Sequence, residues 1–158
     1  MYRNILVPTD GSPLSAKAVE QAVSLAKSVG ARITVLHVVP PLAKLPAAEL
    51  GEAYDSLVDE GYIVPSSIES AVQERLAARS KAMLEAACAK AAASGVACER
   101  VVATSGAPHE AIIRHAEASG CDLILMASHG RKGVQAIVLG SETTKVLVHS
   151  KLPVLVVR

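Results

Sequence analysis

The sequence predicts an α/β fold: one open five-stranded parallel sheet with helices on both faces. Three observations point there. Short apolar runs at 5–7, 33–39, 123–126 and 154–157, with a weaker one at 101–103, are continuous rather than alternating, as in strands buried on both faces. Helical patterns fill the intervals between them, so strand and helix alternate along the chain. The chain also has no Trp or Phe and only three Tyr, so its core must be Val, Leu, Ile and Ala, which suits a parallel sheet under Ala-rich helices.

The elements follow in order. Ser12 is placed to cap the first helix, Pro13 suits its first position, Leu14, Ala18, Ala22, Leu25 and Val29 form its apolar face, and Gly30 ends it. A second helix is predicted from Ser66, with Glu69 completing a capping box and Ile68, Val72, Leu76, Met83 and Ala87 as the buried stripe, to end at Ser94-Gly95. A third runs from about Pro108 to Ser119, burying Ala111, Ile112, His115 and Ala116, with Gly120 closing it. The last starts near Ser141, turns Val146 and Leu147 inward, and stops before Pro153. Residues 40–65 break the rhythm, with Pro40, Pro41, Pro46, Gly51, Gly61 and Pro65. They predict a mobile excursion carrying a short helix around residues 47–57.

Composition narrows the function. The 158 residues predict one domain, 1–158, large enough for a real core. A net charge of +1 and the lack of aromatic stacking platforms speak against nucleic-acid binding. No apolar run approaches the roughly 20 residues of a membrane span, and no signal-peptide pattern opens the chain, so a cytoplasmic protein is expected. Cys88, Cys98 and Cys121 form no CxxC pair and no metal spacing, so reduced thiols are expected, with Cys121 a small buried hydrophobe.

In an open parallel sheet, ligands bind at the carboxyl ends of strands where strand order reverses. Two connections have the composition for it: Pro8-Thr9-Asp10-Gly11-Ser12 after the first strand, and residues 127–133 after the fourth. If those strands are neighbours, the loops face each other. Glycines allow tight turns and close backbone approach, Ser141 at a helix start offers a hydroxyl and the first amides, and Arg131 adds charge-assisted contacts. His37 and His115 read as satisfied structural residues, and His109 and His149 have no ligand-like spacing.

Asn4-Ile5-Leu6-Val7-Pro8-Thr9-Asp10-Gly11-Ser12, His37-Val38-Val39, Asp122-Leu123-Ile124, Ser128-His129-Gly130, Leu139-Gly140-Ser141 and Pro153-Val154-Leu155-Val156-Val157 together resemble the universal stress protein family, from residue 3 to 158. The resemblance implies a Rossmann-like sheet of order 3-2-1-4-5 and a homodimer. In one branch of the family ATP is bound through Gly-x2-Gly-x9-Gly-Ser/Thr. Here Gly130, Gly140 and Ser141 fit the pattern, and Ala127 takes the place of its first glycine. By the same resemblance Asp10 and Val38 contact the adenosine half, Pro8 and Thr9 shape that wall, and Met126 flanks it. His129, Arg131, Gly133, Glu142 and Thr143 complete the candidate binding set.

The expected ligand is therefore ATP or a related adenine nucleotide, with or without Mg²⁺, in a dimeric stress-response switch or adaptor; Asp10 could accept hydrogen bonds from a ribose or adenine donor or help hold the Mg²⁺. Ala127 and Glu142 favour the competing reading, an interaction protein of the same fold without nucleotide: the first adds a methyl group, the second a carboxylate beside the phosphates. No P-loop, GxSxG elbow or nucleophile–base set is present, so no catalytic residue is assigned and slow ATP hydrolysis is the weakest reading. The apolar run 154–157 would form an exposed edge strand, which two copies would close by pairing around a two-fold axis.

Overall fold

Neighbouring residues on a strand point to opposite faces, and here both faces are covered. Ile5, Val7, Ile33, Val35, Leu123 and Leu125 bury into one cluster, while Leu6, Leu36, Ile124 and Met126 bury into another. This is why the runs are continuous in sequence. The computed structural model describes residues 1–45, 65–130 and 139–158. In chain order these contain β1 (Asn4–Pro8), α1 (Pro13–Val29), β2 (Arg32–Val39), a 3₁₀ turn (Leu42–Lys44), α2 (Ser66–Ala93), β3 (Cys98–Thr104), α3 (Pro108–Ala118), β4 (Leu123–Ala127), α4 (Ser141–His149) and β5 (Val154–Val157).

The five strands form one parallel sheet of order β3-β2-β1-β4-β5. β1 lies at its centre, Ile5 in register with Ile33 on one side and Leu123 on the other. α1 and α2 cover one face with Ala18, Val19, Ala22, Leu84, Ala87 and Ala91; α3 and α4 cover the other with Ala111, Ile112, Ala116 and Val146. At the amino edge a polar staple fixes β1 to β4. The Asp122 carboxylate accepts the amides of Arg3 and Asn4, and buried Asn4 donates to the Ser119 carbonyl and accepts from Thr34.

α1 forms as its punctuation predicts. Ser12 accepts the Ser15 amide at 3.2 Å, and Gly30 closes the helix at φ +72°, a left-handed conformation in which a side chain is strained. Its buried face runs through Ser15, Ala18, Val19, Ala22, Val23 and Ala26; Leu14, Leu25 and Val29 pack at its margin.

Other details differ from expectation. The Ser66/Glu69 capping box does not form: Pro65 holds the cap position, its carbonyl takes the amides of Ile68 and Glu69, and Ser66 already lies inside the helix. The buried stripe of α2 runs through Val72, Ser80, Leu84, Ala87 and Ala91, leaving Ile68, Leu76 and Met83 partly buried. Leu147 is 40% exposed, because Val146, one residue earlier on a helix, takes the inward position. His115 is half-buried rather than buried.

The thiols differ most. Cys88 near the end of α2 and Cys98 at the start of β3 are joined by a disulfide, where reduced thiols were expected. The tight turn between the two elements places their Cα atoms 5.4 Å apart, a proximity that the absence of a CxxC motif concealed. Cys121 is free and buried as expected, and burial pushes its thiol pKa up. The predicted helix around 47–57 lies outside the described residues; of the 40–65 segment, the 3₁₀ turn at Leu42–Lys44 is described.

Candidate functional site

Because β1 and β4 are adjacent, the loops leaving their carboxyl ends meet. After β1, Asp10 Oδ1 accepts the Ser12 amide at 3.0 Å, bending the chain, and Gly11 sits at φ +77° directly beneath Met83 of α2. Thr9 is anchored from several sides: its amide donates to the Leu36 carbonyl, its hydroxyl meets that of Ser15, and its carbonyl accepts from His37 at 2.8 Å. A carbonyl can only accept, so this bond places the imidazole proton of His37 on Nδ1. His37 is thus a satisfied strand residue that turns its ring edge to the cleft.

After β4, Ala127 ends the strand and is buried, its carbonyl held by the Thr143 hydroxyl at 3.0 Å. The Gly140 amide donates to the Ser128 carbonyl at 2.8 Å, so the chain leaves and returns at one point. Gly140 has φ −60°, a value any residue accepts; space is what it must leave. A Cβ there would lie 3.3 Å from both the Ser128 oxygen and His129 Cα. Gly130 is tighter: a Cβ would lie 2.6 Å from Asp10 Oδ2. The two loops therefore face each other with the Asp10 carboxylate laid against the Gly130 backbone.

α4 starts at this junction with Gly140 as its cap, and no side chain among the described residues bonds its first turn as a cap. Its amides and dipole point into the cleft where an anion would be favoured. Ser141 is exposed and Thr143 is buried under Ala127.

Glu142 borders the same cleft, but its carboxylate is engaged. Its carboxylate accepts the backbone amide and Nδ1 of His109, both at 2.9 Å, and the Lys145 ammonium at 2.9 Å, so it caps α3 from α4. Burial raises its pKa, but the Lys145 and His109 bonds together outweigh this and hold the carboxyl below its ordinary value. The sign follows from a depressed folded value: the stabilisation is full above the unfolded pKa and is lost as pH falls through the folded one. Glu142→Gln is therefore expected to lower Tm near neutrality, with the gap from wild type closing as pH falls through and below the ordinary carboxylate range. Thermal melts of both proteins across that range check it; a gap independent of pH would show that the carboxylate charge is not what holds α3.

The cleft at this edge encloses about 640 Å³, within the roughly 300–1,000 Å³ of small-molecule sites. Pro8, Thr9, Asp10, Val38, Met126, Ala127, His129, Gly130, Gly140, Ser141, Glu142 and Thr143 all line it. His129 is paired through Nδ1 with the Ser128 hydroxyl at 3.2 Å. Arg131 and Gly133 lie outside the described residues.

Sequence reasoning missed Lys44, Arg79, Ser105 and Gly106 on the opposite rim. Lys44 lies flat over Gly106, where a Cβ would stand 2.6 Å from Nζ. Ser105-Gly106 follows β3 at the same carboxyl edge and was findable by the rule that located the other loops. Lys44 and Arg79 carried no local signal.

Among the described residues no three His, Cys, Asp or Glu side chains converge as a metal-ligand set. Mg²⁺ needs fewer protein ligands, commonly one or two carboxylates beside phosphates and water; of the carboxylates lining the cleft, Asp10 holds the Ser12 amide and Glu142 is engaged by His109 and Lys145. No helix among the described residues is long and apolar enough to cross a membrane.

The universal stress protein family model matches residues 1–158. The chain belongs to this family. The universal stress protein YxiE of Bacillus subtilis is 35% identical over 158 residues, covering all of both chains. The solved structure of MJ0577, a universal stress protein of Methanocaldococcus jannaschii, superposes with a TM-score of 0.74 at 29% identity, covering 99% of this chain and 96% of that one.

Some structural relatives bind adenine nucleotides. One universal stress protein is solved in complex with cAMP (TM-score 0.66, 24% identity, 99% and 97% coverage). Another, from Archaeoglobus fulgidus, is solved in complex with dAMP (TM-score 0.63, 17% identity, 99% and 98% coverage). For this universal stress protein those two likenesses establish the shared fold.

Proposed function

We propose that the cleft between the β1 and β4 loops binds ATP with Mg²⁺, and that the chain acts as a cytoplasmic, homodimeric stress-response switch or adaptor. One observation carries the reading. At Gly130 the backbone lies so close to the Asp10 carboxylate that a side chain there would have to displace it, beside a helix start that no side chain caps among the described residues. Bare backbone, an oriented carboxylate and helix amides are what a magnesium-bound polyphosphate requires. Apolar Val38, Met126 and Ile112 line the remaining wall, where an adenine ring would lie.

Two observations support the reading at the residues that weighed against a nucleotide. Ala127 has the extended backbone of a strand and its carbonyl is engaged by Thr143, a conformation that alanine adopts without strain. The Glu142 carboxylate is taken up by His109 and Lys145.

In this reading Ser141 donates its hydroxyl and first-turn amide to phosphate oxygens. Ser141→Ala is expected to weaken ATP binding about 3- to 10-fold, the worth of one such hydrogen bond. Calorimetric titration with and without Mg²⁺ checks this, and affinity unchanged in both Ser141→Ala and Gly130→Val would remove the assigned site.

Among the described residues β5 has one sheet neighbour, β4, and Leu155 on it is 39% exposed. An apolar edge of this kind favours pairing with a second copy. It equally supports the runner-up reading, an interaction protein without nucleotide. Deleting residues 154–158 is expected to give monomers or aggregates by light scattering, whereas a stable dimer would reject this edge as the interface.

A further inference from the structure

The disulfide between Cys88 and Cys98 plays no part in the cleft's proposed chemistry, yet it joins the two elements that border one side of the molecule. Cys88 lies on α2 five residues beyond Met83, which packs over Gly11 and meets the Thr9 hydroxyl. One and two turns before Met83, Ser80 and Leu76 line the cleft. Cys98 opens β3, the edge strand beyond β2. Both cysteines are partly exposed at the margin of the core, so a small solute can reach them, whereas Cys121 is buried with its thiol pKa pushed up. A partly exposed bridge closing a short ring has the character of a labile rather than a permanent disulfide.

We propose that Cys88 and Cys98 form a reversible dithiol–disulfide site, oxidised by a small disulfide, whose closure fastens the C-terminal half of α2 to β3. One cysteine thiolate attacks the incoming disulfide and expels a thiolate. The second cysteine loses its proton and displaces the other half, so two protein thiols become one Sγ–Sγ bond and the oxidant becomes two thiols. Reduction by a dithiol runs the same steps backwards. The site stands independently of nucleotide binding, since its readouts are thiol number and stability.

The test uses the whole chain, reduced and then equilibrated with oxidised glutathione, followed by alkylation in denaturant and intact mass measurement. The oxidised protein is expected to carry one alkylatable thiol in place of three, as a covalent monomer two hydrogens lighter before alkylation. Its Tm is expected to exceed that of the reduced protein by roughly 5–10 °C. Dithiothreitol should erase the difference, and Cys88→Ser or Cys98→Ser should abolish it while Cys121→Ala preserves it. Three thiols persisting under oxidation, a lasting glutathione adduct, covalent dimers, or equal Tm values for the two forms would each overturn the proposal.

Discussion

Gly130→Val is expected to lower the affinity for MgATP by about 10- to 100-fold, equivalent to about 1.4–2.7 kcal/mol. Even a methyl group at this position would stand 2.6 Å from Asp10 Oδ2, closer than real contacts allow. Retreat of Asp10 costs the bond by which its other oxygen holds the Ser12 amide and shapes the start of α1. Valine must therefore push the two loops apart or displace the carboxylate, and either change spoils the phosphate position. Gly130 is exposed and outside both apolar clusters, so Tm should move little. Coupling supplies a sharper check. Gly130→Ala should cost affinity in the wild type and cost less in an Asp10→Ala background, where the obstructing carboxylate is gone. Additive losses would show that the close approach is incidental.

Ile124→Ala is expected to destabilise the protein by about 2–5 kcal/mol, a fall in Tm of roughly 5–15 °C. Ile124, the second residue of β4, is fully buried, in register with Leu6 on β1 and Val154 on β5, and belongs to the cluster under α3 and α4. Truncation there leaves a void between two sheet neighbours and two helices that a parallel sheet cannot collapse to fill. Val148→Ala on α4, where the residue is 70% exposed, should change stability by less than about 0.5 kcal/mol. Chemical denaturation of both variants measures the contrast. Comparable losses would mean that the strand is not supported from both faces.

The fold was legible because double burial leaves a strong mark. Val7 and Leu6 must both be apolar when each faces its own layer of helices, and no surface strand imposes that. Helix punctuation was legible where side chain and backbone agree, as at Ser12 and Gly30. It failed at Ser66, because a preceding proline can hold the cap position and leave the serine one residue too far inside. Periodicity placed α2 but erred by one residue at Met83 and Leu84, since a long helix drifts against the surface it covers and both residues are apolar.

In the candidate site, Gly130, Gly140 and Ser141 were singled out by the spacing of the family pattern they resemble, and Asp10 by the same resemblance. What spacing could not show is that Asp10 and Gly130, 120 residues apart, touch. The Glu142 carboxylate read as an obstacle because its partner His109 lies 33 residues earlier, on another helix. Lys44 and the Cys88–Cys98 bridge were invisible for the same reason: each depends on a meeting that only the folded chain makes.

Equilibrium titration of the purified, nucleotide-free chain with ATP in the presence of Mg²⁺ tests the central claim most directly. Saturable binding of one ATP per chain in the micromolar range is expected, weakened when Mg²⁺ is removed and severely weakened in Gly130→Val. No saturable heat at millimolar ATP, or identical isotherms for wild type and Gly130→Val, would contradict it.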